Sequence, residues 1–106
     1  MLYYNGSEGE AIALSEAAAL TANYRESQGD TTGTVKAHFF GRDILQNILD
    51  QENCVGIRMY YGLDENGGRQ LVLVGVDQAG QDMENGLVAD RSRVCPPDCI
   101  VSTLNG

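Results

Sequence analysis

Three cysteines and a single histidine are the side chains of this 106-residue chain whose types ligate zinc most readily, and the thiols can also exchange electrons. Cys95 and Cys99 enclose Pro96-Pro97-Asp98, Cys54 stands far upstream, and His38 precedes Phe39-Phe40. Three thiolates and one imidazole make a Cys-three-His set, the ligand count that tetrahedral zinc takes. The C-x-x-x-C spacing is not the usual close C-x-x-C knuckle, and such a site would need His38 folded beside Cys54. A second chemistry is redox, with Cys95 and Cys99 closing a small disulfide and Cys54 acting as a resolving thiol. The plainest reading makes Cys54 a small buried hydrophobe and the C-x-x-x-C loop structural. All three stay open on spacing alone. His38 has no serine or cysteine at a recognisable motif distance, so no nucleophile–base pair emerges.

Other polar groups offer less. Asp64-Glu65-Asn66-Gly67 and Asp77-Gln78-Ala79-Gly80-Gln81-Asp82 contain the oxygen donors and glycines that calcium loops need. Neither follows the twelve-residue pattern with a terminal bidentate glutamate, and Asx-type turns account for the same residues. Asp50 and Glu52 are readable as a carboxylate pair or as an exposed helix end. Arg58 and Arg69 flank a hairpin, where they can clamp an anion or pair with nearby acids. No glycine string has phosphate-binding spacing between a strand and a helix.

The elements that must position these groups follow from periodicity. Ser7-Glu8-Gly9-Glu10 fits a capping box ahead of a helix over Ala11 to Ser27, with Ala13, Ala17, Leu20 and Tyr24 on one face. Gln28-Gly29-Asp30 stops it, and Thr31-Thr32-Gly33 continues as loop. Thr34 to Phe40 alternates as a short strand: Val35, Ala37 and Phe39 on one side, Lys36, His38 and Phe40 on the other. Gly41-Arg42-Asp43 opens a second helix with an Ile44, Leu45, Ile48, Leu49 stripe, and Asn53 suits a left-handed terminator.

From Cys54 the period becomes two. Val55, Ile57, Met59 and Tyr61 share a face opposite Arg58 and Tyr60, and the run Arg69 to Val76 follows a turn containing Asn66-Gly67. Gln81 to Ala89 is a weaker third strand, and Asp90 to Gly106 is irregular. The expected architecture is one α+β domain over residues 1–106, with two helices packed on one face of a small, mainly antiparallel sheet. A central β-hairpin occupies about 54–76.

The strings Cys54-Val-Gly-Ile-Arg-Met-Tyr-Tyr-Gly62, Leu71-Val-Leu-Val-Gly-Val-Asp77 with Gly80 and Asp82, and Cys95-Pro-Pro-Asp-Cys99 resemble a group of small, uncharacterised bacterial proteins. The likeness covers roughly residues 34 to 99. It implies a bacterial origin and a shared fold, and it carries no activity or site residue.

Seven basic residues against fifteen acidic ones give a formal charge of -8, which repels phosphate backbones and anionic lipid and argues against nucleic-acid or membrane partners. No basic flank precedes an apolar run and no apolar segment is long enough to span a bilayer, so a soluble, cytoplasmic protein is expected. The hairpin strands are apolar on both faces, more than a small domain shelters alone. The expectation is therefore a non-enzymatic interaction or assembly module, a homo-oligomer or a binder of another protein, with Tyr60, Val72 and Val74 at the interface. The alternative is a small zinc-binding or thiol-redox protein built on Cys54, Cys95, Cys99 and His38.

Overall fold

The computed structural model describes residues 3–29 and 34–105. Its elements are α1 (Leu14–Ser27), β1 (Ala37–Phe39), α2 (Arg42–Leu49), β2 (Gly56–Leu63), β3 (Arg69–Val76), β4 (Val88–Ala89) and β5 (Arg93–Cys95). They make a small α+β fold of two helices, a three-stranded sheet ordered β2-β3-β4 and a two-stranded sheet of β1 and β5. The chain divides into two compact units, Met1–Glu8 with Phe39–Ser92 and Gly9–His38 with Arg93–Gly106.

The first unit is organised by the expected hairpin. Gly56 lies opposite Val76 and Leu63 opposite Arg69, antiparallel throughout. Asp64 closes the turn: its carboxylate accepts the amides of Asn66 (2.9 Å) and Gly68 (2.7 Å). Gly67 supplies the positive φ of 80° that the turn requires. The next turn repeats this device, with Asp77 accepting the amides of Ala79 and Gln81, both at 3.0 Å, ahead of Gly80 at φ 80°. Both acidic loops thus use a carboxylate oxygen to cap their own backbone.

Because paired residues in an antiparallel ladder share a face, Ile57, Met59, Tyr61 and Leu63 project with Leu71, Leu73 and Gly75 to one side. α2 packs on this side. Ile48 and Leu73, both with no exposed surface, and Ala89 form the core, joined by Phe40, Ile44, Leu45, Cys54, Ile57 and Leu71. The stripe expected on α2 is present, except that Leu49 is 43% exposed. Past the helix, Asn53 adopts φ 73°, the left-handed conformation expected of it. The Gln51 side chain ties the helix end to the sheet: its amide nitrogen donates to the Ile48 carbonyl at 2.9 Å and its oxygen accepts the Leu87 amide at 2.8 Å. The weak third strand reduces to β4 and an isolated bridge between Asp82 and Val76.

Elsewhere the local pattern misleads. No capping box forms at Ser7. Its hydroxyl donates to Asn5 Oδ1 at 2.6 Å, while the Glu8 carboxylate accepts the amides of Asn5 (3.0 Å) and Gly6 (2.9 Å). These side chains fold residues 5–8 into a tight turn, with Gly6 at φ 92°, and helix begins only after Ala13. α1 ends as expected, at Gln28 and a left-handed Gly29 (φ 67°). The loop expected at Thr31-Thr32-Gly33 lies outside the described residues.

α1 contains no buried residue, and Leu20 and Tyr24 of its expected inner face are exposed. Its less exposed positions are Ala17, Ala18, Thr21, Ala22, Arg25 and Gln28, a face rotated from the one anticipated. In an alanine-rich helix the apolar stripe is shallow, so other contacts choose the face; here Arg25 donates to the Leu104 carbonyl at 2.9 Å. β1 is shorter than expected, and of the two faces it alternates, Ala37 and Phe39 are exposed while His38 and Phe40 are half-buried. Its partner β5 lies within a segment read as irregular.

A truncation series follows from this packing. Leu73→Ala is expected to cost about 2–5 kcal/mol in denaturant unfolding, whereas Leu63→Ala should stay within about 0.5 kcal/mol. Equal losses at the two positions would show that Leu73 is not the core residue.

Candidate functional site

Arg58, Tyr60 and Asp82 form a polar cluster in the first unit. Arg58 and Tyr60 alternate along β2, so they stand on one face of the sheet, the face away from α2, alongside Val72 and Val74. The Asp82–Val76 bridge holds the end of the turn that follows β3 alongside that strand. Arg58 Nη1 then meets Asp82 Oδ1 at 2.6 Å and the Gly80 carbonyl at 3.1 Å, while the Tyr60 hydroxyl donates to Asp82 Oδ2. The guanidinium also stacks 5.5 Å from the centre of the Tyr4 ring. Tyr4 is fixed by its amide, which donates to the Gln78 carbonyl at 2.8 Å. A Cβ at Gly80 would collide with the Tyr4 ring, so the turn needs glycine there for space as well as for φ.

These contacts set the titration of the cluster. The Tyr60 hydroxyl, and after it the Arg58 guanidinium, hold the Asp82 carboxyl below its ordinary 3.8 against the opposing effect of burial. Bonding to Asp82 raises Tyr60 above 10.0, because ionisation would remove the donated proton, and raises Arg58 as well. The cluster therefore works as a brace: both oxygens of one carboxylate are taken by strand side chains.

The residues expected at an interface fall on this braced face. Val74 is 5% exposed, Val72 is half-buried and Tyr60 is tied to Asp82. Exposed apolar surface concentrates instead on the opposite row of the same strand: Met59 at 55%, Tyr61 at 96% and Leu63 at 71%. Element length explains the asymmetry. The eight residues of α2 span about 12 Å, whereas the eight of β2 span about 26 Å, so this helix roofs only the Ile57 end. β2 is also the outer strand of its sheet.

In the second unit, Cys95 and Cys99 are joined as a disulfide with Cα atoms 4.8 Å apart. Cys95 is buried on β5 and Cys99 is exposed on the loop. His38 lies on β1, in the same two-stranded sheet as Cys95. Cys54 belongs to the first unit, where its thiol donates to the Gly56 carbonyl at 3.2 Å and packs against the core. Among the described residues no group of three or more His, Cys, Asp or Glu side chains is placed to hold an ion. A four-ligand set that includes Cys95 and Cys99 first requires their bond to be reduced. Of the paired carboxylates, Asp50 accepts from Gln46 at 2.8 Å and Glu52 is exposed.

Sequence reasoning reached Asp82 only as part of an acidic turn, not as a partner of Arg58, and did not reach Asn105. Asp82 meets Arg58 across 24 residues, and Asn105 reaches Cys95 across 10. No local periodicity signals either contact. The one available hint was the surplus of acids around Arg58. No family model, no curated protein and no solved structure matches the chain, so the functional reading rests on this geometry.

The brace has a testable pH dependence. A carboxyl with a depressed pKa stabilises the fold above its ordinary value, so the contribution of Asp82 is complete above the usual carboxylate range and is lost as pH falls below about 3.8. The contribution of Tyr60, whose pKa is raised, is complete below 10.0 and is lost as pH rises through the elevated value. In an NMR titration the Tyr60 ring should titrate above 10.0 in the parent protein and return towards 10.0 in Asp82→Ala. Asp82→Ala should also lower Tm by several degrees, whereas Asp98→Ala, which loses only an exposed 3.9 Å contact with Arg93, should leave it unchanged.

Proposed function

We propose that this protein is a non-enzymatic assembly module that associates with a second copy of itself through β2. The observation that carries the reading is the row Met59, Tyr61 and Leu63, apolar and exposed, on the outer strand of the sheet. An eight-residue edge strand without proline, whose one charged side chain is already engaged by Asp82, is a template for strand addition. Natural edges are usually blunted by charge, proline or a bulge, and this one has none of those free.

A two-fold axis normal to the sheet would pair β2 with its copy antiparallel and keep each face on its own side. With the axis at Tyr61, the two Tyr61 rings lie opposite each other and each Met59 faces Leu63 of the second copy. The result is a continuous six-stranded sheet whose two apolar rows merge and are withdrawn from water together.

No helix among the described residues is long and apolar enough to cross a membrane. We place the protein in the cytoplasm of a bacterial cell, following its acidity and its resemblance to bacterial proteins. In that compartment thiol-reducing systems act on the Cys95–Cys99 pair, which gives thiol chemistry a physical basis as a second reading.

Sedimentation or light scattering over a hundredfold concentration series tests the assembly. A dimer that dissociates on dilution is expected, and Tyr61→Lys should abolish it without lowering Tm, because that side chain is 96% exposed. A strict monomer at every concentration would overturn the reading. So would a dimer indifferent to Tyr61→Lys.

A further inference from the structure

We infer that the Cys95–Cys99 disulfide is a directional thiol-exchange site, attacked at Cys99 and opened with Cys95 as the leaving sulfur. The inference is independent of the assembly reading, since every residue it uses lies in the second unit.

The two sulfurs are unequal. Cys95 is 5% exposed and sits on a strand, its carbonyl accepting the Lys36 amide at 2.7 Å. Cys99 is exposed on the loop beyond the prolines. Exchange requires in-line approach of a thiolate to one sulfur, so access selects Cys99. The departing sulfur must then carry negative charge. The Asn105 carboxamide lies beside Cys95 Sγ with its nitrogen and its oxygen each 3.6 Å away, and the nitrogen donates also to the Ile100 carbonyl at 2.7 Å, which anchors the group. A sulfur in a disulfide has no proton to give, so this contact runs from amide to sulfur, and it strengthens as the thiolate forms. An amide donor turned to the leaving sulfur stabilises the departing thiolate and speeds exchange.

The reaction partner is a dithiol reductant, free or carried by a protein. Its thiolate attacks Cys99 Sγ, a new sulfur–sulfur bond forms there, and the Cys95–Cys99 bond breaks with its electron pair on Cys95. The reductant's second thiolate then displaces Cys99 and closes the reductant's own disulfide. Two electrons and two protons pass to this protein, and two thiols remain. Reduction leaves Cys95 held on β5 and frees Cys99. The chain beyond it is then retained by Arg25 on the Leu104 carbonyl and by the Lys36 ammonium, 3.2 Å from the Asn105 carbonyl.

The test uses the full, oxidised protein under native conditions with glutathione as a monothiol probe, followed by acid quenching and peptide mass mapping. The mixed disulfide is expected on Cys99, with Cys95 recovered as a free thiol. Asn105→Ala should slow reduction by dithiothreitol several-fold while Tm of the oxidised form is unchanged. An adduct on Cys95, exchange seen only after denaturation, or three free thiols in air-oxidised protein would overturn the inference. A rate indifferent to Asn105→Ala would overturn the part assigned to that residue.

Discussion

The first unit depends on one mismatch of length. A two-turn helix is laid on a hairpin whose strands are more than twice as long as the helix, and everything apolar on that face is either under α2 or in water. At the covered end Leu73, at the centre of the middle strand, meets Ile48 from the helix and Ala89 from β4, and the three close a small core. Gly75 allows this end to close tightly, since a Cβ there would lie 2.9 Å from the Gln51 amide nitrogen and 3.1 Å from Cys54 Sγ. At the uncovered end the same alternation that buries Ile57 presents Met59, Tyr61 and Leu63. The exposed row is thus a consequence of the core pattern, continued beyond the reach of the helix.

The opposite face is sheltered by other means. Val74 and Val76 are buried there, on the side where the segment through Tyr4 and the turn from Asp77 to Asp82 are held. Segments without regular structure have no repeating apolar face, so their position depends on specific polar contacts. Arg58 supplies most of these: to Asp82, to the Gly80 carbonyl and to the Tyr4 ring. Removing Asp82 would leave Arg58 and Tyr60 without their shared partner and loosen the turn that lies beside them. The brace thereby helps to shelter Val74 and Val76 on that face, while Tyr60 and Val88 at its margins stay exposed.

Much of this fold was legible in the sequence because strong period-two and period-3.6 patterns leave little choice. The β2–β3 hairpin, the α2 stripe and the left-handed positions at Asn53, Gly67 and Gly80 all follow from local chemistry. What escaped depends on contacts distant in sequence or on competition between local options. Ser7 has a capping-box partner in Glu10, yet the carboxylate of Glu8 caps residues 5 and 6 instead. β5 is three residues long, too short to show a period. For the site, alternation correctly placed Tyr60, Val72 and Val74 on one face. It carried no information on which face a remote aspartate would close, nor on how far an eight-residue helix extends along its sheet.

The second unit shows why a disulfide is worth having here. Among its described residues only Cys95 is buried, and α1 contributes no interior side chain. A unit so poor in apolar burial has little hydrophobic free energy to set against chain entropy. Hydrogen bonds from Arg25 and Lys36 to terminal carbonyls are exposed or half-exposed, and each contributes modestly in water. A covalent link across a sequence separation of 4 restricts the unfolded chain by about 2 kcal/mol in the chain-entropy account. That is a large share of what such a unit can muster, so the state of one sulfur–sulfur bond weighs more here than in a well-packed domain. The shortage of apolar burial that leaves the unit marginal is the same feature that gives this one covalent link its weight.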